Sequence, residues 1–140
     1  MIRTKIQLRW NDIDALGHLY NGQYQHLYDF AKSDFIAQLL GVRDNWAQSD
    51  QGFVTVRTLN NYYSPVYIQE EIEILTTIRR VGSSSFDIFQ RMVCSATGEV
   101  KSDSLSVMVC YNPKSGESYE IPTEAKKVME REIALYELND

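Results

Sequence analysis

At 140 residues, with 44% hydrophobic and 24% charged side chains, the chain has the size and balance of one globular domain with one core, spanning 1–140. Its net charge is −5 and its 14 basic residues are scattered, so the positive stripe that neutralises a nucleic-acid backbone is missing and nucleic acid is not an expected partner. No apolar run approaches the ~18 residues of a membrane span, and none follows the short basic start Arg3-Thr4-Lys5, so neither membrane insertion nor secretion is expected and a cytoplasmic location is.

Residues 3–10 alternate, with Ile6, Leu8 and Trp10 against Lys5, Gln7 and Arg9, which predicts a half-buried strand. The polar, glycine-containing stretch 11–21 breaks that period. From Gly22 to Leu40 apolar residues return at helical spacing (Tyr24, Tyr28, Ala31, Phe35 and Leu39, flanked by Leu27, Phe30 and Ile36), predicting a long helix that is apolar over more than half its circumference. At about 1.5 Å per residue it spans roughly 28 Å, and a curved sheet around it would supply partners on more than one side. Gly41 fits the left-handed position that ends a helix, and 42–52 reads as a polar connector.

Four extended segments rich in β-branched and aromatic residues follow, at 53–64, 70–81, 85–96 and 99–111. Ser64-Pro65 ends the first, Gly82-Ser83-Ser84 separates the second from the third, and Thr97-Gly98 makes a hairpin between the third and fourth. That hairpin sets Cys94 opposite roughly Lys101 and Cys110 opposite roughly Ser85, too far apart to bridge, so two free buried thiols are expected. After a turn at 112–116, Pro122-Thr123-Glu124 opens a last helix with Ala125, Val128, Met129 and Leu135 on one side. The order β-α-β-β-β-β-α, with hairpin-length turns between sequential strands, implies an antiparallel sheet and the α+β class.

Between the first strand and the long helix, residues 9–22 concentrate Asp12, Asp14, His18, Asn21, Gly17 and Gly22 ahead of a helix N-terminus. Unpaired N–H groups and the positive dipole end can stabilise an oxyanion while a carboxylate supplies a nucleophile or base. The thiolate of a thioester is a fair leaving group, so one carboxylate and two N–H donors could suffice. From residue type alone, the commoner role of Asp12 and Asp14 is as turn and cap residues of a loop.

The pattern Asp12-x-Asp14-x-x-Gly17-His18-x-x-Asn21-x-x-Tyr24 resembles the 4-hydroxybenzoyl-CoA thioesterase family of hotdog-fold proteins. Val56-Arg57-Thr58-Leu59-Asn60-Asn61-Tyr62-Tyr63-Ser64-Pro65 looks like that family's second strand, and Val81-Gly82-x-x-Ser85-Phe86 like its third turn. The segment from Trp10 to His18 is also similar to plant acyl-acyl-carrier-protein thioesterases. The resemblance implies a five-stranded antiparallel sheet wrapped round the long helix, a homodimer joined edge to edge and often paired into tetramers, and sites between subunits. It implies hydrolysis of acyl-CoA or acyl-carrier-protein thioesters, with Asp14 as nucleophile or general base and the N–H groups of Asn21 and Gly22 as oxyanion hole. CoA would enter as part of the substrate, with no separate cofactor.

His18 invites a dyad with Asp14, as the plant enzymes are thought to use theirs, or a loop-ordering hydrogen bond. His26 falls on the helix side of Gln23 and Lys32, read as solvated surface. No His, Cys, Asp or Glu cluster has metal spacing. Ser84 and Ser85 follow the Gly82 turn, where relatives sometimes place a hydroxyl near the attacking water, although turn chemistry explains them as well. Arg57, Arg79 and Arg80 are candidates for CoA phosphates, the last two on opposite strand faces. Tyr24, Tyr28, Tyr62 and Tyr63 could line an acyl pocket or fill the core, Tyr24 and Tyr62 being the substrate-contact candidates. The rival readings are a non-catalytic acyl-CoA-binding hotdog module and a hydratase of the same fold.

Overall fold

The computed structural model describes residues 1–41 and 51–136, so most of the connector expected at 42–52 lies outside the described residues. In chain order the elements are β1 (Ile2–Ile6), a single 3-10 turn (Trp10–Asp12), α1 (Asn21–Leu40), β2 (Gly52–Tyr62), β3 (Ile72–Val81), β4 (Ser85–Cys94), β5 (Val100–Asn112), β6 (Glu117–Ser118) and α2 (Thr123–Leu135). The sheet runs β1-β3-β4-β5-β2, antiparallel throughout, with the two-residue β6 added to β5. This is the α+β hotdog arrangement, a sheet wrapped round α1. The short β6 was hidden from the sequence by the turn residues before it.

Strand alternation places one face of the sheet on the helix. Tyr24, Tyr28 and Ala31 of α1 meet Ile72, Ile74, Met92 and Cys94 in one apolar cluster. Phe35 and Ile36 meet Ile78, Phe86, Ile88, Met108, Cys110 and Met129 in a second. Full burial of each such side chain stabilises by about 1.5–3 kcal/mol. A polar row crosses the sheet in register, Thr76 beside Gln90, Gln90 beside Ser104, and Ser104 beside Asn60. Gln90 Nε2 donates to the Tyr28 carbonyl at 3.0 Å, which ties this row to α1. Gly41 ends α1 with φ +72° and its N–H donating to Ala37 O at 2.9 Å.

Several sequence expectations change in detail. The first strand stops at Ile6 rather than Trp10, and Trp10 is 79% exposed, because the chain turns into the 3-10 segment that Asp12 holds against Arg9. Lys32, read as surface, is buried, whereas Phe30 stands outside the core. On α2 the inward stripe is Ala125, Met129, Glu132 and Ile133. Leu135 is exposed, and Glu132 turns inward because it pairs with the Met1 ammonium group. Arg79 and Arg80 do not oppose each other. The bulge between Ile78 and Arg80 lets Arg80 pair with Asp87 (2.8 Å) while Arg79 lies 3.6 Å over the ring of Phe89, and Asp87 and Phe89 share one face of β4. Cys94 and Cys110 are free and buried in different clusters, with Cys110 set against Ser84, one position from the expected register.

Candidate active site

Residues 13–19 close into a miniature hairpin just before α1. Ile13 and Leu19 pair as an isolated bridge, the Asp14 N–H donates to His18 O at 2.8 Å, and the Gly17 N–H donates to Asp14 O at 3.0 Å. Gly17 takes φ +81°, a conformation that strains any residue with a Cβ. Two further bonds dock the hairpin. Leu19 N–H donates to Val66 O at 2.8 Å, and Tyr20 N–H to Asp12 O at 2.7 Å.

The two carboxylates of the motif are used differently. Asp12 is buried, and its oxygens accept the Arg9 N–H (2.9 Å) and Arg9 Nη2 (3.0 Å). Burial alone would raise its pKa, but the Arg9 hydrogen bonds and charge outweigh it and hold the carboxyl below its ordinary range. Asp14 is half-buried, and only Oδ1 is engaged, accepting the N–H groups of Leu16 (2.9 Å) and His18 (3.3 Å). Among the described residues Oδ2 has no hydrogen-bond partner. The turn thus fixes one oxygen of Asp14 and leaves the other free among the described residues.

The start of α1 is open in the same sense. Tyr20 is the N-cap without a side-chain capping bond, Gln23 N–H returns to Tyr20 O at 2.9 Å, and the first turn holds no acidic side chain. The N–H groups of Asn21 and Gly22 find no acceptor among the described residues, so both donors and the positive dipole end remain available to an anion. Gly22 lets the Tyr20 ring lie close by, where a Cβ would stand 2.7 Å from Tyr20 Cε1.

The remaining candidates fall in distinct places. The His18 ring packs edge-on against Tyr67, centroids 5.2 Å apart, and it is the main-chain N–H of His18 that reaches Asp14. His26 is exposed, with Nδ1 2.6 Å from Gln23 Oε1. Tyr24 is buried edge-on to the half-exposed Tyr62, centroids 4.8 Å apart. Burial first, then Tyr62 and Asp14, raise the Tyr24 hydroxyl pKa against the opposing charge of Lys101. Tyr28 is core, donating to Ser102 Oγ at 2.7 Å. Tyr63 is exposed and donates to Asp103 Oδ2 at 2.8 Å. Arg57 is exposed on β2, and Ser85 sits at the opposite end of β4 from Cys94, accepting from Arg80 Nη2 at 3.0 Å. Among the described residues neither bonds to the Asp14 loop.

Sequence reasoning missed Lys101. Its buried ammonium binds Glu70 (2.8 Å), Glu99 (2.5 Å) and the Pro65 carbonyl (3.0 Å). Burial would lower its pKa, but the two carboxylates raise it further than burial lowers it. The Lys101 carbonyl accepts the N–H groups of Tyr63 and Ser64, and Glu70 accepts that of Tyr67. Lys101 therefore fixes the segment whose Val66 and Tyr67 hold Leu19 and His18. A lysine within a strand pattern gives no sequence signal for this. Among the described residues there is no group of three or more His, Cys, Asp or Glu able to hold a metal, and no helix long and apolar enough to cross a membrane.

The wrapped sheet, the buried helix and the carboxylate beside the helix start define a hotdog-fold domain of the thioesterase type. The chain belongs to the thioesterase-like superfamily, whose family model matches residues 8–129, and thioester hydrolysis is its class of reaction. It is 23% identical over 113 residues to the acyl-CoA thioester hydrolase YbgC of Escherichia coli O6:H1, covering 81% of this chain and 84% of that one. Among solved structures it is similar to a thioesterase superfamily protein from Jannaschia sp. CCS1, with TM-score 0.86, 18% identity, and coverage of 94% and 92%. A thioesterase from Thermus thermophilus complexed with coenzyme A and Zn gives TM-score 0.79, 20% identity and coverage of 94% of each chain.

Proposed function

We propose that this protein hydrolyses acyl-CoA thioesters, with Asp14 driving attack on the carbonyl and the N–H groups of Asn21 and Gly22 receiving the oxyanion. The observation that carries the reading is the pairing of a carboxylate fixed through one oxygen and free at the other with two unoccupied N–H donors at the start of α1. Asp14 attacks the carbonyl itself, giving a mixed anhydride that water then hydrolyses, or takes a proton from the attacking water. The thiolate then leaves without a strong acid to protonate it. CoA is favoured over a carrier protein by the acyl-CoA hydrolase YbgC and by the coenzyme A complex of the Thermus protein. His18 serves as a positioning residue, since its ring is taken up by Tyr67.

The working unit is a homodimer joined along β2. That strand ends the sheet, eleven residues long, with Val54, Val56, Leu59 and Tyr62 exposed, and an unpaired apolar edge of this length is stable in water when another strand covers it. A Thr58→Pro substitution is expected to yield monomer in analytical ultracentrifugation.

Release of free thiol from a panel running from acetyl-CoA to palmitoyl-CoA, with one aryl-CoA, tests the activity. Turnover of at least one member is expected, and no turnover of any would refute the reading. Gly22→Val, which displaces Tyr20 and the helix start, is expected to lower kcat about a hundredfold or more, as loss of an oxyanion donor does. An unchanged kcat would remove Gly22 from the oxyanion hole.

A further inference from the structure

The buried Lys32 lies three turns along α1 from the catalytic loop, and the reaction described so far does not use it. The residue is 4% exposed. Its ammonium has one partner among the described residues, Asp29 Oδ1 at 3.2 Å, and the Asp29 side chain is itself 54% exposed. An ammonium carries three donors, so two are left without a protein acceptor. Taking such a group from water costs several kcal/mol unless it is well paired.

Lys32 borders a cleft of about 200 Å³ between α1 and the β2–β5 side of the sheet, together with Asp29, Ser33, Thr55 and Met108. The rest of the lining, Ile36 and Phe53, is apolar, so Lys32 is the cleft's one buried charge among the described residues. A plain alkyl tail in this cleft would leave the spare donors of the Lys32 ammonium unmet. A carboxylate would accept from the ammonium and from the Ser33 hydroxyl together, the Thr55 hydroxyl being engaged with the Met108 sulfur at 3.2 Å.

We propose that this cleft recognises a carboxylate at the far end of the acyl group, with Lys32 as the specificity-determining residue, so that the preferred substrates are CoA thioesters of dicarboxylic acids. Lys32 is eleven residues beyond Asn21, about 16 Å along the helix at 1.5 Å per residue. It therefore meets the distal end of the acyl group rather than the thioester carbonyl. A hydroxyl would satisfy single donors, but an anion also adds to the partial compensation that the exposed Asp29 provides.

The inference rests on the acyl-CoA hydrolase reading, and its test separates the two. Carboxylate-terminated and methyl-terminated acyl-CoAs of matched short, medium and long chain length are compared by kcat/KM. For at least one length the carboxylate form is expected to be favoured about tenfold or more, a difference of about 1.4 kcal/mol. Lys32→Met should bring that ratio to one or below, and Lys32→Arg should retain much of it. Lys32→Met is expected to fold, because its partner Asp29 is 54% exposed and is left solvated rather than as a buried unpaired charge, and a thermal melt checks this. A wild-type preference for methyl-terminated chains, or a carboxylate preference that survives Lys32→Met, would overturn the proposal. If no thioester in the panel is hydrolysed, the hydrolase reading fails by itself. Calorimetric binding of the same paired ligands to wild type and Lys32→Met then decides the role of Lys32.

Discussion

The two ends of α1 are built from different materials. At the C-terminal end Phe35 and Ile36 sit in an apolar cluster, Gly41 closes the helix with its own hydrogen bond, and the Cys110 thiol is pushed up to about 11 by burial. At the N-terminal end the packing is assisted by buried charges. Asp12 is locked to Arg9, Lys101 is locked to Glu70 and Glu99, and the helix opens on uncapped donors beside a half-engaged carboxylate. The first end contributes stability through its packing. The second places a few groups accurately and leaves three of them, Asp14 Oδ2 and the N–H groups of Asn21 and Gly22, without partners among the described residues, and the proposed activity rests on these three.

That contrast can be broken in a graded way. The largest expected change is at the apolar end, where Phe35→Ala should cost about 3–5 kcal/mol in urea unfolding while turnover per folded molecule stays near wild type. At the other end Lys101→Met leaves Glu70 and Glu99 without their cation and should cost about 3 kcal/mol or more. Here the folded fraction should also lose kcat, because Val66 and Tyr67 no longer hold the Asp14 hairpin. Equal kcat in the two variants would erase the distinction between the ends.

A smaller effect, about 1–3 kcal/mol, is expected for Asp12→Asn, and it carries a pH signature. The folded-state pKa of Asp12 lies below its ordinary value of 3.8. Its stabilisation is therefore complete at neutral pH and is lost as the pH falls below 3.8 through the depressed value. The stability difference between wild type and Asp12→Asn should shrink over that acid range in pH-dependent unfolding. Smallest are Gly17→Ala and Gly41→Ala, each about 1 kcal/mol because both positions have positive φ and open space around a new Cβ. Only Gly17→Ala should also slow hydrolysis, which a paired melt and rate measurement would show.

The sequence displays the architecture through its periods. Alternation finds the strands to within a few residues, and the spacing from Tyr24 to Leu39 finds α1, because half-buried strands and an enclosed helix impose their periods on side-chain polarity. Bulges leave no such trace, so simple alternation sets Arg79 and Arg80 on opposite faces, whereas the irregularity after Ile78 brings both to one. The resemblance of the loop motif singles out Asp14, Asn21 and Gly22, whereas the residue types by themselves do not distinguish Asp12 from Asp14, since their physical difference lies in which carboxylate Arg9 captures. Lys32 and Lys101 are illegible for a related reason. A lysine is written alike whether solvated or buried, and its partners Glu70, Glu99 and Asp29 are set beside it by strand register and helix turn.

In the proposed reaction two carboxylates two residues apart divide the work, Asp12 structural and Asp14 reactive. Asp14→Asn and Asp12→Asn should be compared for kcat on the best acyl-CoA of the panel and for midpoint of thermal unfolding. The expected result is that Asp14→Asn loses about a hundredfold to ten-thousandfold in kcat with its melting point close to wild type, while Asp12→Asn melts earlier and retains most of its turnover when folded. An Asp14→Asn enzyme that turns over at the wild-type rate would contradict the central claim.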